Sequence, residues 1–233
     1  MSSEFADKPV VVTGASGGLG RAVVAALLAR GADCYLPAYE SSAPEELAWR
    51  DHERVHFSFD IDLCDPDAVQ RYYQGLPDLW ASVHLTGGFS MAPIEDTSVA
   101  DLRRMMALNL ETCFSCCREA IRFISGTAHG GRLVNVSARP ALTPTAGMAA
   151  YAISKAAVAA LTEALAAETV EREVLVNAVV PSMFDTPSNR AAMPDSDFDR
   201  WPKPEEIASA ICYLASPANQ LTSGALVPVY GRM

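Results

Sequence analysis

The chain has 233 residues, half of them hydrophobic, and a formal net charge of -10. This length and apolar fraction suffice for one domain with a sizeable core. The negative charge, without basic clusters, argues against nucleic acid and anionic membranes as partners. Apolar stretches fall short of membrane-spanning length and the first residues lack a signal-peptide pattern, so we expect a soluble, cytoplasmic protein.

Six cysteines are present. In a cytoplasmic protein, where thiols stay reduced, they predict no disulfide framework. Cys113, Cys116 and Cys117 include a C-x-x-C spacing, but no histidine pair follows them. The other three, Cys34, Cys64 and Cys212, are isolated. We therefore expect no metal site, and assign the cysteines to the packed face of a helix.

A valine strand, a glycine-rich turn and an apolar helix follow one another between residues 10 and 30, with the helix predicted from Arg21 to Arg30. This is the order that a dinucleotide site requires. Gly14 and Gly18 permit a tight turn and the close approach of a pyrophosphate. Gly20 lets the helix pack on the strand, and the helix N-terminus faces the anion.

Further along the chain, short apolar runs predict six more strands and the helices between them. The seven predicted strands are residues 10–12, 33–38, 55–59, 81–85, 132–136, 174–180 and 225–229. A capping box at Ser98 and Asp101 predicts a long helix from Val99 to about Ile124.

Tyr151 and Lys155 lie four residues apart in an Ala-rich, helix-forming run, so both project from one helical face. A lysine ammonium beside a phenol favours the phenolate, which lowers the pKa of the tyrosine toward neutrality. A hydroxyl with such a pKa is a usable proton donor.

The glycine turn near the start and this Tyr-x-x-x-Lys pair together resemble the short-chain dehydrogenase/reductase family, over nearly the whole chain. The resemblance implies a single α/β Rossmann domain over residues 1–233, with a doubly wound, parallel seven-stranded sheet and helices on both faces. It also implies an NAD(P)-dependent oxidoreductase with a small-molecule substrate. Relatives form a homodimer or homotetramer through the two long helices, and the apolar run from Ala156 to Leu165 fits such an interface or burial in the core.

The resemblance also assigns roles to single residues. Tyr151 donates the proton, and Lys155 lowers its pKa and binds the nicotinamide ribose. Asn109 supports a water that links the lysine to solvent; the alternative for Asn109 is an exposed polar position on the helix. The predicted nucleotide contacts are Gly14, Ser16, Gly18, Leu19, Gly20, Asp62, Leu63, Gly87, Tyr151, Lys155 and Thr186.

The choice between NAD and NADP stays open. Members of the family carry an acidic residue for NAD at the end of the second strand, or a nearby arginine for NADP. This chain has Ala38 and Tyr39 there. Glu40 is a candidate ligand for the ribose of NAD. Ser41 and Ser42 are candidate hydrogen-bond donors to the phosphate of NADP.

Two positions depart from the family pattern. Relatives have Asn-Asn-Ala-Gly after the fourth strand, where this chain has residues 84–87, His-Leu-Thr-Gly. We expect His84 to be buried and hydrogen-bonded, with Gly87 still allowing close approach of the cofactor. The family's catalytic serine is replaced by Ala138. Three explanations compete: a bulge brings in the neighbouring Ser137, Thr143 or Thr145 substitutes, or the substrate needs no serine.

The third explanation has support from a narrower resemblance. Residues 138–151 and 185–201 are similar to the dihydropteridine reductase branch of the family, which also has alanine at the serine position. That resemblance implies a small cyclic acceptor such as a quinonoid dihydropterin, with substrate contacts at Ala138, Met148 and Asn189. Residues 183–203 are predicted to form a substrate lid. The alternatives are a general ketone or alcohol oxidoreductase, and a nucleotide-sensing protein without catalysis.

Overall fold

The computed structural model describes residues 4–232, so residues 1–3 and 233 of the predicted domain lie outside it. Seven strands form one parallel sheet in the order β3-β2-β1-β4-β5-β6-β7. The strands are β1 Pro9–Thr13, β2 Asp33–Pro37, β3 Val55–Ser58, β4 Ala81–His84, β5 Gly131–Val136, β6 Val174–Pro181 and β7 Leu226–Val229. The predicted seven-stranded fold is confirmed.

Helices connect the strands. They are α1 Gly18–Leu28, α2 Pro66–Gln74, α3 Val99–Met106, α4 Thr112–Ile124, α5 Arg139–Leu142, α6 Ala149–Thr169, α7 Pro187–Ala192 and α8 Pro204–Ala215, with short 3-10 turns at Ile94–Asp96, Val170–Arg172 and Phe198–Arg200. The short helices α5 and α7 were not predicted from the sequence.

Both faces of the sheet are covered, because successive side chains of a strand point to opposite faces. Val10 and Val12 of β1 pack in a core with α1 and α8. Val11, between them, belongs to a second core with α2, α4 and α6. These two cores hold the strands rigidly, so that their carboxyl ends form one stable edge for a site.

The start of α1 differs from the prediction, because the helix begins at Gly18 rather than Arg21. A Cβ on Gly20 would lie 2.2 Å from the carbonyl oxygen of Gly14. Glycine at position 20 therefore lets the helix begin directly on the turn.

The predicted helix from Val99 to Ile124 is present, but it is not α-helical throughout. The Ser98–Asp101 capping box is present at its start, but the π-helical segment Ala107–Glu111 separates α3 from α4. Such a segment inserts an extra residue into the helical turn and is frequent at functional sites. Here it contains Asn109, whose side chain is buried.

Within the described chain, one helical stretch, Ala149–Arg172, is long and apolar enough to cross a membrane by length and composition. It contains α6, which packs against β5 and β6. Val158 and Ala166 on this helix are buried in the core of the domain. Packing on the sheet therefore accounts for the apolar residues on its buried side.

Candidate active site

The loops after β1 and β4 meet at the carboxyl edge of the sheet. Thr13 Oγ1 accepts hydrogen bonds from the backbone amides of Leu85 at 3.0 Å and Thr86 at 3.2 Å. Gly14 follows with a positive φ of 65°, and a Cβ there would lie 3.0 Å from the Thr86 amide nitrogen. The chain changes direction in the sheet between β1 and β4, which is where open α/β sheets bind ligands.

A cavity of about 450 Å³ opens beside this junction. Its walls are the glycine turn, the end of β2 and the loop after β3, and they include Gly14, Ser16, Asp62 and Leu63. The fold thus brings together four predicted nucleotide residues from two segments that are distant in sequence. Residues 38–40 at the end of β2 also line the cavity, which leaves the choice between NAD and NADP open.

Thr186 and Leu19, both predicted to contact the nucleotide, lie beside and within the end of the glycine turn. Thr186 packs against the turn, since a Cβ on Gly18 would lie only 2.9 Å from Thr186 Cγ2. The side chain of Leu19, in the first turn of α1, is buried in the core, and its nucleotide contact stays a prediction. Glycine at position 18 therefore keeps the space between the turn and Thr186 open.

Asn109 fixes the loop after β4. Its Oδ1 accepts from the Gly88 amide at 2.9 Å, and its Nδ2 donates to the Gly88 carbonyl at 3.1 Å and to Ser154 Oγ at 3.0 Å. The side chain is 1% exposed, so the alternative of an exposed polar position was wrong. The water-holding role implied by the family stays a prediction.

Lys155 lies directly behind this loop. Its Nζ donates to the Val136 carbonyl at 2.9 Å, and a Cβ on Gly87 would lie 3.3 Å from Nζ and 2.4 Å from Asn109 Oδ1. Burial lowers the pKa of Lys155 to about 8. The lack of a side chain at Gly87 therefore leaves room for the cofactor to approach Lys155.

The expected electrostatic effect of Lys155 on Tyr151 is not found. Burial raises the pKa of Tyr151 to about 12, opposite in direction to the lowering expected from a neighbouring ammonium. The reason is that removal of the phenol from water disfavours the charged phenolate. The Tyr151 hydroxyl is consequently protonated at neutral pH.

At Ala138, where relatives have the catalytic serine, the structure brings in no hydroxyl from Ser137. Ser137 Oγ donates to the Lys155 carbonyl at 2.8 Å, so the explanation that a bulge brings Ser137 into the site was wrong. Ala138 is buried, in extended conformation, at the N-terminus of α5. Thr143 and Thr145 lie on an exposed stretch, where Thr145 Oγ1 donates to the Thr143 carbonyl at 3.4 Å.

The exposed ring of Phe89 forms an apolar mouth on one side of Tyr151. The ring of Phe89 packs edge-on against the Tyr151 ring with centroids 5.0 Å apart, and Phe89 is 54% exposed. The backbone amide of Ala92 donates to the Gly147 carbonyl at 2.8 Å. This bond joins the loop after β4 to the loop that ends at Met148, just before α6.

The segment from 183 to 203 is folded on itself. Asp185 pairs with Arg190 on α7 and with Lys203 before α8, and these two cations hold the pKa of its carboxyl well below the usual range. Asn189 Nδ2 donates to the Phe184 carbonyl at 2.8 Å. This contact makes Asn189 a brace within the segment, and its substrate role stays a prediction.

His84 is buried and hydrogen-bonded, as expected. Its Nε2 lies 2.8 Å from Ser82 Oγ, and its Nδ1 lies 2.8 Å from Asn135 Oδ1. Both ring nitrogens therefore have partners within the core.

Comparison with known proteins agrees with this site. A family model described as short chain dehydrogenase matches residues 8–197. The chain belongs to the short-chain dehydrogenase/reductase family. It is accordingly an NAD(P)-dependent oxidoreductase that acts on small molecules. The glycine turn, the cavity beside it and the room at Gly87 fit a nicotinamide dinucleotide.

Individual relatives cover nearly the whole chain. Cis-4-hydroxycyclohexanecarboxylate dehydrogenase of Sinomonas cyclohexanicum is 31% identical over 99% of this chain and 98% of its own length. Galactitol 2-dehydrogenase of Rhizobium johnstonii is 33% identical over 94% of this chain and 92% of its own. A solved short-chain type dehydrogenase/reductase from Mycobacterium ulcerans has a TM-score of 0.88 at 25% identity, covering 100% of this chain and 90% of that one.

Proposed function

We propose that this short-chain dehydrogenase/reductase transfers hydride between NAD(P)(H) and a small cyclic ketone or alcohol, with Tyr151 as its proton donor. The observation that most directly supports this proposal is the exposed ring of Phe89, which packs against Tyr151. An aromatic edge beside the proton donor offers an apolar surface to a ring-shaped substrate.

The protein's own groups supply the proton chemistry. When bound, the nicotinamide cofactor would supply the hydride for the carbonyl carbon. Tyr151 gives its proton to the carbonyl oxygen, and the product is the alcohol. With its pKa raised to about 12 by burial, the Tyr151 hydroxyl is protonated at neutral pH and so holds the proton that a reduction uses. Lys155 would bind the nicotinamide ribose, and Asn109 would support proton return from solvent.

A relative supports the cyclic class of substrate. The name of the Sinomonas cyclohexanicum dehydrogenase specifies a hydroxylated cyclohexane ring. Galactitol, named for another relative, is an open-chain polyol. The apolar mouth at Phe89 matches the ring better than the polyol, because a polyol brings hydroxyl groups that an apolar surface leaves without partners.

The test is a substrate panel with the purified protein. It contains 4-oxocyclohexanecarboxylate with NADH or NADPH, galactitol with the oxidised cofactors, and quinonoid dihydropterin with NADH or NADPH. We expect turnover of the cyclic ketone. Phe89→Ala should raise its KM about tenfold, the size of one lost apolar contact, while the matched variant Phe89→Leu should retain most affinity. Turnover of galactitol alone would overturn the proposal.

A second candidate is the dihydropterin acceptor, favoured by Ala138. The alanine at the serine position and the similarity of residues 138–151 to the dihydropteridine reductase branch support it. The names of the relatives described above specify other substrates. Turnover of quinonoid dihydropterin with no activity on the cyclic ketone would select this candidate.

The remaining alternatives have less support. A general ketone or alcohol oxidoreductase has no need of the exposed Phe89 ring beside Tyr151. Like the cyclic ketone reaction, it would have to proceed without a hydroxyl at Ala138, because Ser137 is engaged with the Lys155 carbonyl. A nucleotide sensor without catalysis has no chemical need for the buried arrangement of Asn109 and Lys155.

Assembly and the lid complete the proposal. Phe114 of α4 and Ile153 of α6 are 48% and 51% exposed, and we expect these helices to form the interface of a homodimer or homotetramer. Light scattering after gel filtration, with Phe114→Glu as the disrupting variant, tests this.

We expect residues 183–203 to act as a lid over the substrate. The cytoplasmic location stays a prediction.

A further inference from the structure

Four side chains converge between β4, β5 and α4, in the core behind the active site. The ligand atoms of His84, Cys113 and Cys117 lie within 4.8 Å of one another, and all three residues are buried. His84 Nδ1 is 3.4 Å from Cys117 Sγ. Asn135 Oδ1 lies among them, 2.8 Å from His84 Nδ1, 3.3 Å from Cys113 Sγ and 3.4 Å from Cys117 Sγ.

We propose that these side chains form a structural zinc site, with two thiolates, the imidazole Nδ1 of His84 and the amide oxygen of Asn135 as ligands. Cysteine sulfur and histidine nitrogen are the donors that zinc prefers in closed, four-coordinate sites. The sequence concealed the cluster for two reasons. The cysteine pair is Cys113 and Cys117, one helical turn apart, rather than the C-x-x-C pair, and His84 comes from a different element.

Three of the six distances among the four ligand atoms approach those of a tetrahedral zinc site. Zinc bonds of about 2.3 Å to sulfur and about 2.0 to 2.2 Å to nitrogen and oxygen place neighbouring ligands about 3.4 to 3.7 Å apart. The nitrogen–sulfur distance of 3.4 Å and the oxygen–sulfur distances of 3.3 and 3.4 Å approach these values. The short contact between His84 Nδ1 and Asn135 Oδ1 would widen by about 0.5 Å to admit the ion.

Without an ion, the polar groups are crowded. The imidazole N–H and two thiols all approach Asn135 Oδ1, but an amide oxygen has two lone pairs. When zinc binds, the two thiol protons leave to solvent, and the imidazole proton resides on Nε2. There it donates to Ser82 Oγ, 2.8 Å away, as the free nitrogen of a zinc-bound histidine usually does.

Charge and burial favour zinc as the occupant. Two thiolates balance the charge of Zn²⁺, so that the complex adds no net charge to a dry core. His84 is 4% exposed, and Cys113 and Cys117 are 5% and 1% exposed, so the ion would enter while the chain folds. The site would anchor the start of α4 to β4, next to the π-helical segment that carries Asn109.

The test is refolding of the full chain with equimolar ZnCl₂, followed by desalting and elemental analysis. We expect about one zinc per chain in the wild type, and near-complete loss in Cys117→Ser. The matched control is Cys116→Ser, because Cys116 is adjacent and equally buried, at 1% exposure, but lies outside the cluster. Its zinc content should equal that of the wild type.

Cobalt gives an independent readout that needs no variant. The wild type refolded with CoCl₂ should show thiolate-to-cobalt charge transfer and the intense visible bands of tetrahedral Co²⁺. A natively folded wild type that contains no zinc and shows no such bands would overturn the proposal. Equal loss of zinc in Cys116→Ser and Cys117→Ser would overturn it as well.

Discussion

Asn109 binds the backbone of Gly88 through both ends of its side-chain amide. Oδ1 accepts from the Gly88 amide at 2.9 Å and Nδ2 donates to the Gly88 carbonyl at 3.1 Å. The helix that carries Asn109 is thereby locked to the loop after β4, which in relatives is stabilised by an Asn-Asn-Ala-Gly sequence. The same Nδ2 reaches Ser154 on α6, so that one amide connects three elements of the site.

Replacement of Asn109 tests this connection. Asn109→Ala should remove the side-chain partners of the half-buried Gly88 amide and carbonyl, at a cost of about 1 kcal/mol or more in unfolding free energy. Urea unfolding measures that cost, and kcat should fall at least tenfold because the loop at Gly87 loses its position. Ser154→Ala removes one of the three contacts and should have a smaller effect on both. Equal effects would show that the contacts to Gly88 are unimportant.

The glycine turn offers a matched pair of substitutions. Gly20→Ala places a Cβ 2.2 Å from the Gly14 carbonyl oxygen, whereas the nearest atom to a Cβ on Gly17 is that same oxygen at 3.3 Å. We expect Gly20→Ala to lower the unfolding free energy by about 2 kcal/mol or more, and to abolish saturable nucleotide binding. Gly17→Ala should unfold close to the wild type. Thermal unfolding and fluorescence titration with NADH and NADPH distinguish them, and a tolerated Gly20→Ala would contradict this packing.

The buried lysine predicts how stability depends on pH. Burial lowers the pKa of Lys155 from 10.5 to about 8 in the folded protein. Between these values the unfolded chain binds a proton that the folded chain has released, so the lysine's contribution to stability rises with pH across this window.

Comparison of the wild type with Lys155→Met isolates that contribution. From pH 8 to pH 9.5, the unfolding free energy of the wild type should increase by about 2 kcal/mol relative to the variant. Urea unfolding at the two pH values provides the measurement. Parallel pH dependence of the two proteins would show that Lys155 is not desolvated as the structure indicates.

The ion pairs of Asp185 test the lid. Asp185→Asn weakens the bonds to Arg190 and Lys203, and the segment between them should close less firmly over the substrate. We expect a higher KM for the cyclic ketone with a nucleotide dissociation constant close to that of the wild type. Steady-state kinetics and nucleotide titration separate the two, and an unchanged KM would leave the segment a purely structural loop.

Much of the fold could be predicted from the sequence because the strands of a doubly wound sheet are short apolar runs at regular intervals. The buried alternation of Val10, Val11 and Val12 and the glycines after them are local signals. The π-helical segment at Ala107–Glu111 has no such local signal, and its Asn109 makes its contacts to Gly88 and Ser154, far away in sequence.

The candidate site shows the same division. The approximate positions of Tyr151, Lys155 and Thr186 follow from spacing and resemblance. The engagement of Ser137 with the Lys155 carbonyl and the raised pKa of Tyr151 depend on burial, which spacing does not report. The meeting of His84 with Cys113 and Cys117 likewise depends on the pairing of a strand with a helix across the core.

The central claim is that Tyr151 donates the proton. The most direct measurement is the reduction of 4-oxocyclohexanecarboxylate by Tyr151→Phe, beside the exposed control Tyr213→Phe, with NADH and NADPH. Loss of the hydroxyl should lower kcat at least 100-fold and leave nucleotide affinity nearly unchanged, with Tyr213→Phe equal to the wild type. Retention of wild-type kcat by Tyr151→Phe would contradict the account.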